Sequence, residues 1–162
     1  MLKTFLDSEE VGNLVLTGWT CTLSPDSLTD YSTAIEAVKR AKEKDPQSLL
    51  AHQALAGLLL RAGEYKSALD ELQQAKTFGD ADGESSAYTD YLLTIAHHWL
   101  GDSASAQSAL DEANGAAELE LNNTSPPATW TRRLTLNLLR EEAERTIQAD
   151  DVPTRNEGDT KK

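Results

Sequence analysis

Residues 62–75 read AGEYKSALDELQQA, and 38 positions later residues 100–113 read LGDSASAQSALDEA. Glycine stands at each break, Gly63 and Gly101; alanine follows five residues on at Ala68 and Ala106; Leu72 with Ala75 returns as Leu110 with Ala113. The polar residues do not return: Tyr65 becomes Ser103 and Lys66 becomes Ala104. A catalytic motif keeps its polar groups and tolerates changes in packing. This echo keeps the packing positions and changes the polar ones, so it marks a unit that stacks on itself. The same skeleton reaches backward, since Tyr31, Ala34, Val38 and Ala41 stand 34 residues before Tyr65, Ala68, Leu72 and Ala75. The later spacing of 38 is that period with four residues added in TFGDADGESS, 77–86.

Around this skeleton apolar residues recur at spacings of three and four, as in Leu55, Leu58, Leu59 and Ala62, then Leu69, Leu72 and Ala75, the pattern of helices burying one stripe. The breaks fall where helices stop. Asp45-Pro46 interrupts the first strong run, because the residue before proline avoids helical torsions. Gly63 and Gly101 can take the positive φ of a tight turn. Composition makes TFGDADGESS and NNTSPP, 122–127, loops. The pattern predicts seven helices at about 9–23, 29–44, 47–62, 65–77, 86–100, 103–117 and 128–147. They form an all-α domain over 1–148: three helix-turn-helix repeats, about 9–46, 47–82 and 84–117, and a C-terminal capping helix over 128–147. Alanines at 34, 68 and 106 let paired helices approach closely, and those at 41, 75 and 113 pack where one pair meets the next. In the capping helix Leu134, Leu138 and Leu139 are assigned to the inward side. The polar stretch 149–162 is expected to be a disordered tail.

Charge and composition narrow the function classes. Fifteen Lys and Arg against 27 Asp and Glu leave a formal charge of −12, which repels phosphate backbones and anionic membrane faces, so neither nucleic acid nor membrane is an expected partner. One cysteine, Cys21, cannot form an internal disulfide, and no Cys/His cluster has zinc-ligand spacing. A reducing, cytoplasmic compartment is expected. MLKTFLDSEE reaches acidic residues too early for a signal peptide, so the overlapping sequons at Asn122 and Asn123 carry no meaning.

The segment 48–75, SLLAHQALAGLLLRAGEYKSALDELQQA, resembles a tetratricopeptide repeat, with Leu55, Ala56, Gly63, Tyr65, Ala68 and Ala75 at the expected places. His52 replaces the usual bulky aromatic, Leu59 stands where tyrosine is common, and Thr94 takes the small position of the third repeat. The layout also resembles repeat segments at the C-terminal ends of large planctomycete-type bacterial proteins, many of them serine/threonine kinases. GWTCTLSPDSLTDYSTAIEAVKRA, IAHHWLGDSASAQSALDEA and WTRRLTLNLLREEAERTI carry that likeness over about 10–147. Kinase chemistry needs a glycine-rich phosphate loop, a strand lysine, an HRD-type loop and DFG. None is present, and FGD at 78–80 is in the wrong order, so the resemblance implies an accessory module and no enzyme.

The repeat register then implies a concave groove lined by first helices: Gln53, Gly57, Leu60 and Arg61 from the second repeat, Tyr91, Ile95 and His98 from the third. Such a groove receives a peptide or helix of a protein partner, apolar or basic given the chain's charge, with no cofactor and no metal. The alternative is a structural module that docks against its own parent protein or self-associates weakly through the terminal helix, with Trp130 in the interface. An enzyme built on His97 or His98 ranks last, because adjacent helical residues point about 100° apart. Acidic pairs such as Asp70-Glu71 and Asp111-Glu112 read as solvated faces. His52 reads as a packing residue, and Cys21 as a buried, inert thiol.

Overall fold

A computed structural model describes residues 10–82 and 86–148. Among them run seven helices: α1 (Val11–Thr22), α2 (Ser32–Lys44), α3 (Leu49–Arg61), α4 (Tyr65–Asp82), α5 (Ala87–Trp99), α6 (Ser103–Asn122) and α7 (Trp130–Gln148). Extended structure among the described residues is limited to an isolated bridge between Thr124 and Pro127. The expected tail over 149–162 and the expected helix start at Glu9 lie outside the described residues.

Consecutive helices pack as pairs: α1 on α2, α3 on α4, α5 on α6. Each first helix also packs on the next one, α1 on α3, α3 on α5 and α5 on α7, while α2, α4 and α6 lie against the first helix that follows them. This puts α3 in the middle, and residues 51–60 are buried on every side, as an all-round apolar helix requires. The small residues allow the close approach. Ala34, Ala68, Ala41, Ala75 and Ala113 are fully covered and Ala106 is 1% exposed. Leu55 and Val38 pack into the same core with Leu58, Leu72 and Leu92, each fully buried aliphatic contributing about 1.5–3 kcal/mol.

The two echoed turns have the same geometry. Gly63 and Gly101 take φ of 77° and 79°. At the first turn Glu64 donates to the Leu59 carbonyl and Gly63 to that of Leu60; at the second Asp102 donates to His97 and Gly101 to His98. This double closure satisfies the last carbonyls of α3 and α5 and needs a residue without a Cβ at the left-handed position. Ser48 and Asp102 cap the helices on either side of these turns, accepting from the backbone N–H of Ala51 and Ser105.

Several boundaries and one face differ from expectation. α4 continues through most of TFGDADGESS to Asp82, because Gly79 sits against Leu49 and Phe78 against His52, and that packing overrides poor local propensity. α6 runs to Asn122, carried by buried Ala117 and part-buried Leu121. α2 begins at Ser32, later than expected, because the Asp30 carboxylate takes both the Ser32 N–H and its hydroxyl in a turn. α3 begins at Leu49, with Ser48 as its cap. In α7 the inward face is Leu136, Leu139 and Ala143, at helical spacing, whereas Leu134 and Leu138 are exposed.

Candidate functional site

The double-bonded turns end α3 and α5 side by side, which places Leu60 and Arg61 near Ile95 and Trp99. Tyr65, the first residue of α4, stacks on Trp99 with centroids 5.7 Å apart and planes 10° from parallel. Across from them, the second half of α7 brings Glu142, Arg145 and Thr146, and the segment after α1 brings Pro25. Together these residues line a cleft of about 400 Å³. Leu60 and Ile95 are its apolar floor, 6% and 3% exposed, while Trp99 stands 56% exposed at its wall.

The cleft's charges are internally paired. Arg61 Nε donates to the Thr22 carbonyl at 2.8 Å, and Nη2 donates to Glu142 Oε2 at 2.7 Å. Both terminal nitrogens complete this clamp, Nη1 to Glu142 and Nη2 to Thr22. A bidentate guanidinium–carboxylate pair is rigid and directional, so Arg61 ties α1, α3 and α7 together. Thr146 spends its hydroxyl hydrogen on the Glu142 backbone carbonyl. The remaining open surface is aromatic and aliphatic, with Arg145 at the rim.

Of the seven residues placed in a groove by sequence, Leu60, Arg61 and Ile95 line this cleft. Gln53 is buried and donates to Thr89 Oγ1 at 2.9 Å, joining α3 to α5. Gly57 lies against α1, where a Cβ would stand 2.6 Å from Thr22 Cγ2. Tyr91 is fully covered, donating to Asn114 Oδ1 at 2.9 Å, and Arg140 Nε donates to both its oxygen and that of Asn114. Burial pushes the Tyr91 phenol above its ordinary value, against the opposing hydrogen bond from Arg140. His98 is half-buried with its ring edge-on to Trp99. The structure thus brings three of the seven together at the C-terminal ends of α3 and α5, while Gln53 packs against α5, Gly57 against α1 and Tyr91 against α6 and α7.

Sequence reasoning did not single out Pro25, Tyr65, Trp99, Glu142, Arg145 or Thr146 as lining a cleft. A large aromatic two residues before the turn glycine was the available signal at Trp99.

The other candidates lie outside the cleft. His52 is buried, with Nδ1 at 2.6 Å from Glu71 Oε2 and Nε2 at 3.0 Å from the Pro46 carbonyl. Lys42 Nζ donates to the second Glu71 oxygen at 2.6 Å. Burial alone would raise the Glu71 carboxyl, but hydrogen bonds and charge from His52 and Lys42 outweigh it and hold the group below its ordinary value. Cys21 is buried, and burial pushes its thiol up, away from the thiolate form. His97 Nδ1 lies 3.6 Å from Asp102 Oδ2. Among the described residues no three His, Cys, Asp or Glu side chains are grouped to hold a metal ion, and no helix is long and apolar enough to cross a membrane.

A scan against family models matches none, and searches of curated proteins and of solved structures return no match.

Proposed function

We propose that the chain is a non-catalytic protein-interaction module of tetratricopeptide-like architecture, an accessory segment of a signalling protein, that takes an apolar side chain of a partner's peptide segment into the Leu60–Ile95–Trp99 cleft. The architecture reading is supported by the 34-residue offset, the matched turns at Gly63 and Gly101, and the succession of first helices along one side. The observation that carries the binding reading is Trp99. A tryptophan more than half exposed, stacked on Tyr65 beside an apolar floor, is the kind of rigid, amphipathic surface that anchors interfaces. The paired Arg61 and Glu142 fix the cleft's shape without leaving a bare charge for chemistry. A partner segment that adds basic residues around its apolar anchor gains from the chain's −12 charge.

The test is selection of short peptides from a random display library on the folded chain, followed by titration of the selected peptides against Trp99→Ala. The reading expects peptides with a shared apolar anchor whose affinity falls at least about tenfold on losing Trp99, the size of one anchor contact. Selected peptides that bind Trp99→Ala unchanged would sink it, and so would a library that yields no binder.

A further inference from the structure

The cleft at the ends of α3 and α5 is uneven in its hydrogen-bonding groups. Its acceptors are engaged within the chain: both Glu142 carboxylate oxygens take the Arg61 guanidinium, and so does the Thr22 carbonyl beside them. The Thr146 hydroxyl donates to the Glu142 carbonyl inside α7. The aromatic donors are not engaged. Among the described residues neither the Trp99 indole N–H nor the Tyr65 hydroxyl enters a hydrogen bond, and their two rings stand 10° from parallel in the wall. We propose that the segment received here is a proline-containing one in the polyproline-II conformation, its proline ring against Trp99 and its backbone carbonyls accepting from Trp99 and Tyr65. This rests on the binding reading of the cleft and names the kind of segment that fills it.

A wall with open donors and engaged acceptors suits a ligand of the opposite balance. Proline has no N–H to leave unsatisfied, and a polyproline-II backbone makes no internal hydrogen bonds, so its carbonyls face outward. A helix bonds its carbonyls to its own N–H groups and offers none to the indole or the phenol. A strand needs an open sheet edge, and extended structure among the described residues is one isolated bridge. Stiffness adds to the match, because a polyproline-II segment loses little conformational freedom on docking into a cleft of about 400 Å³. Charge sets what stands beside the proline. Asp26 follows Pro25 and Glu64 precedes Tyr65, both exposed next to residues that line the cleft, while Arg145 is engaged with Glu141 of its own helix. A Lys or Arg flanking the proline therefore finds acidic partners at the rim.

The experiment titrates the library-selected peptides against two variants of the full chain that keep the aromatic rings. Trp99→Phe removes the indole N–H and Tyr65→Phe the phenolic hydroxyl, and circular dichroism checks that helicity is unchanged in both. Selected peptides should share a proline, and replacing it by alanine should weaken binding at least about tenfold, the size of one anchor contact. Each variant should bind them about threefold to tenfold more weakly than the wild type, the size of one neutral hydrogen bond. A Lys or Arg beside the proline should raise affinity at low salt and lose that gain at high salt. Peptides that depend on Trp99 by the alanine test yet carry no proline overturn the proposal and leave the binding reading standing. So do peptides that bind either phenylalanine variant as tightly as the wild type. Peptides indifferent to Trp99→Ala overturn the binding reading itself, and this proposal with it.

Discussion

Trp19 of α1 stacks on Tyr88 of α5, with ring centroids 5.2 Å apart and planes at 28°. The guanidinium of Arg132, on α7, lies 3.5 Å from the centre of the same Tyr88 ring and is held there by Glu120. One column therefore joins the first, fifth and seventh helices across the face that α3 and α5 would otherwise leave open. Arg61 makes the parallel connection from α3 to Thr22 and Glu142. These two links tie α1 and α7 across α3 and α5, and the cleft lined by Leu60 and Ile95 lies beside the second of them.

Removing the column should loosen the whole stack. Trp19 is 8% exposed, so Trp19→Ala is expected to lower stability by about 3–5 kcal/mol, as deletion of a buried aromatic does. Urea denaturation followed by circular dichroism measures it. A loss below about 1 kcal/mol, typical of a surface site, would mean that the stack does not bear on the fold.

Glycine-to-alanine changes should have opposite signs at two helical sites. A Cβ at Gly57 would meet Thr22 Cβ and Cγ2 at 2.7 and 2.6 Å, so Gly57→Ala must push α1 from α3 and should cost about 1–3 kcal/mol. At Gly115, on α6, a Cβ meets nothing within 4 Å, and alanine there should gain up to about 1 kcal/mol from helix propensity. Thermal melts of the two variants should therefore move in opposite directions.

Acid should undo the Glu71 network. Its carboxyl titrates below its ordinary 4.5, through His52 and Lys42 acting against burial. A carboxyl whose folded value is depressed contributes stability that is fully present above its unfolded value and disappears as pH falls through the folded one. The stability gap between wild type and Glu71→Gln should thus be widest near neutral pH and close as pH drops below 4.5. Urea midpoints taken across that range check it, and a gap that stays constant with pH contradicts it.

The two sides of α7 should respond differently. Leu139 is fully covered and Leu134 is 48% exposed. Leu139→Ala should cost about 2–5 kcal/mol, while Leu134→Ala should stay within about 0.5 kcal/mol.

The helices were legible because their apolar residues keep a period that burial demands, and the turns because only glycine sits easily at Gly63 and Gly101. The end of α4 was not legible, since nothing local in Phe78 or Gly79 announces that His52 and Leu49 await them on another helix. The facing of α7 was hidden for a related reason: Leu134, Leu136, Leu138 and Leu139 spread around the helix, and only the neighbours choose among them. Of the register's candidates, Leu60, Arg61 and Ile95 line one cleft. The register could not foresee Gln53 on Thr89, Gly57 against Thr22 or Tyr91 on Asn114 and Arg140, contacts between different helices that bury those three residues.

Three tryptophans occupy three settings: Trp19 in the core, Trp99 at the cleft and Trp130 on the outer side of α7. The most direct test of the binding account follows the three indole N–H resonances while a library-selected peptide is titrated into the labelled full chain. The account predicts a large, saturable shift of the Trp99 resonance, with those of Trp19 and Trp130 nearly still. A titration that moves Trp130 and leaves Trp99 in place would contradict it.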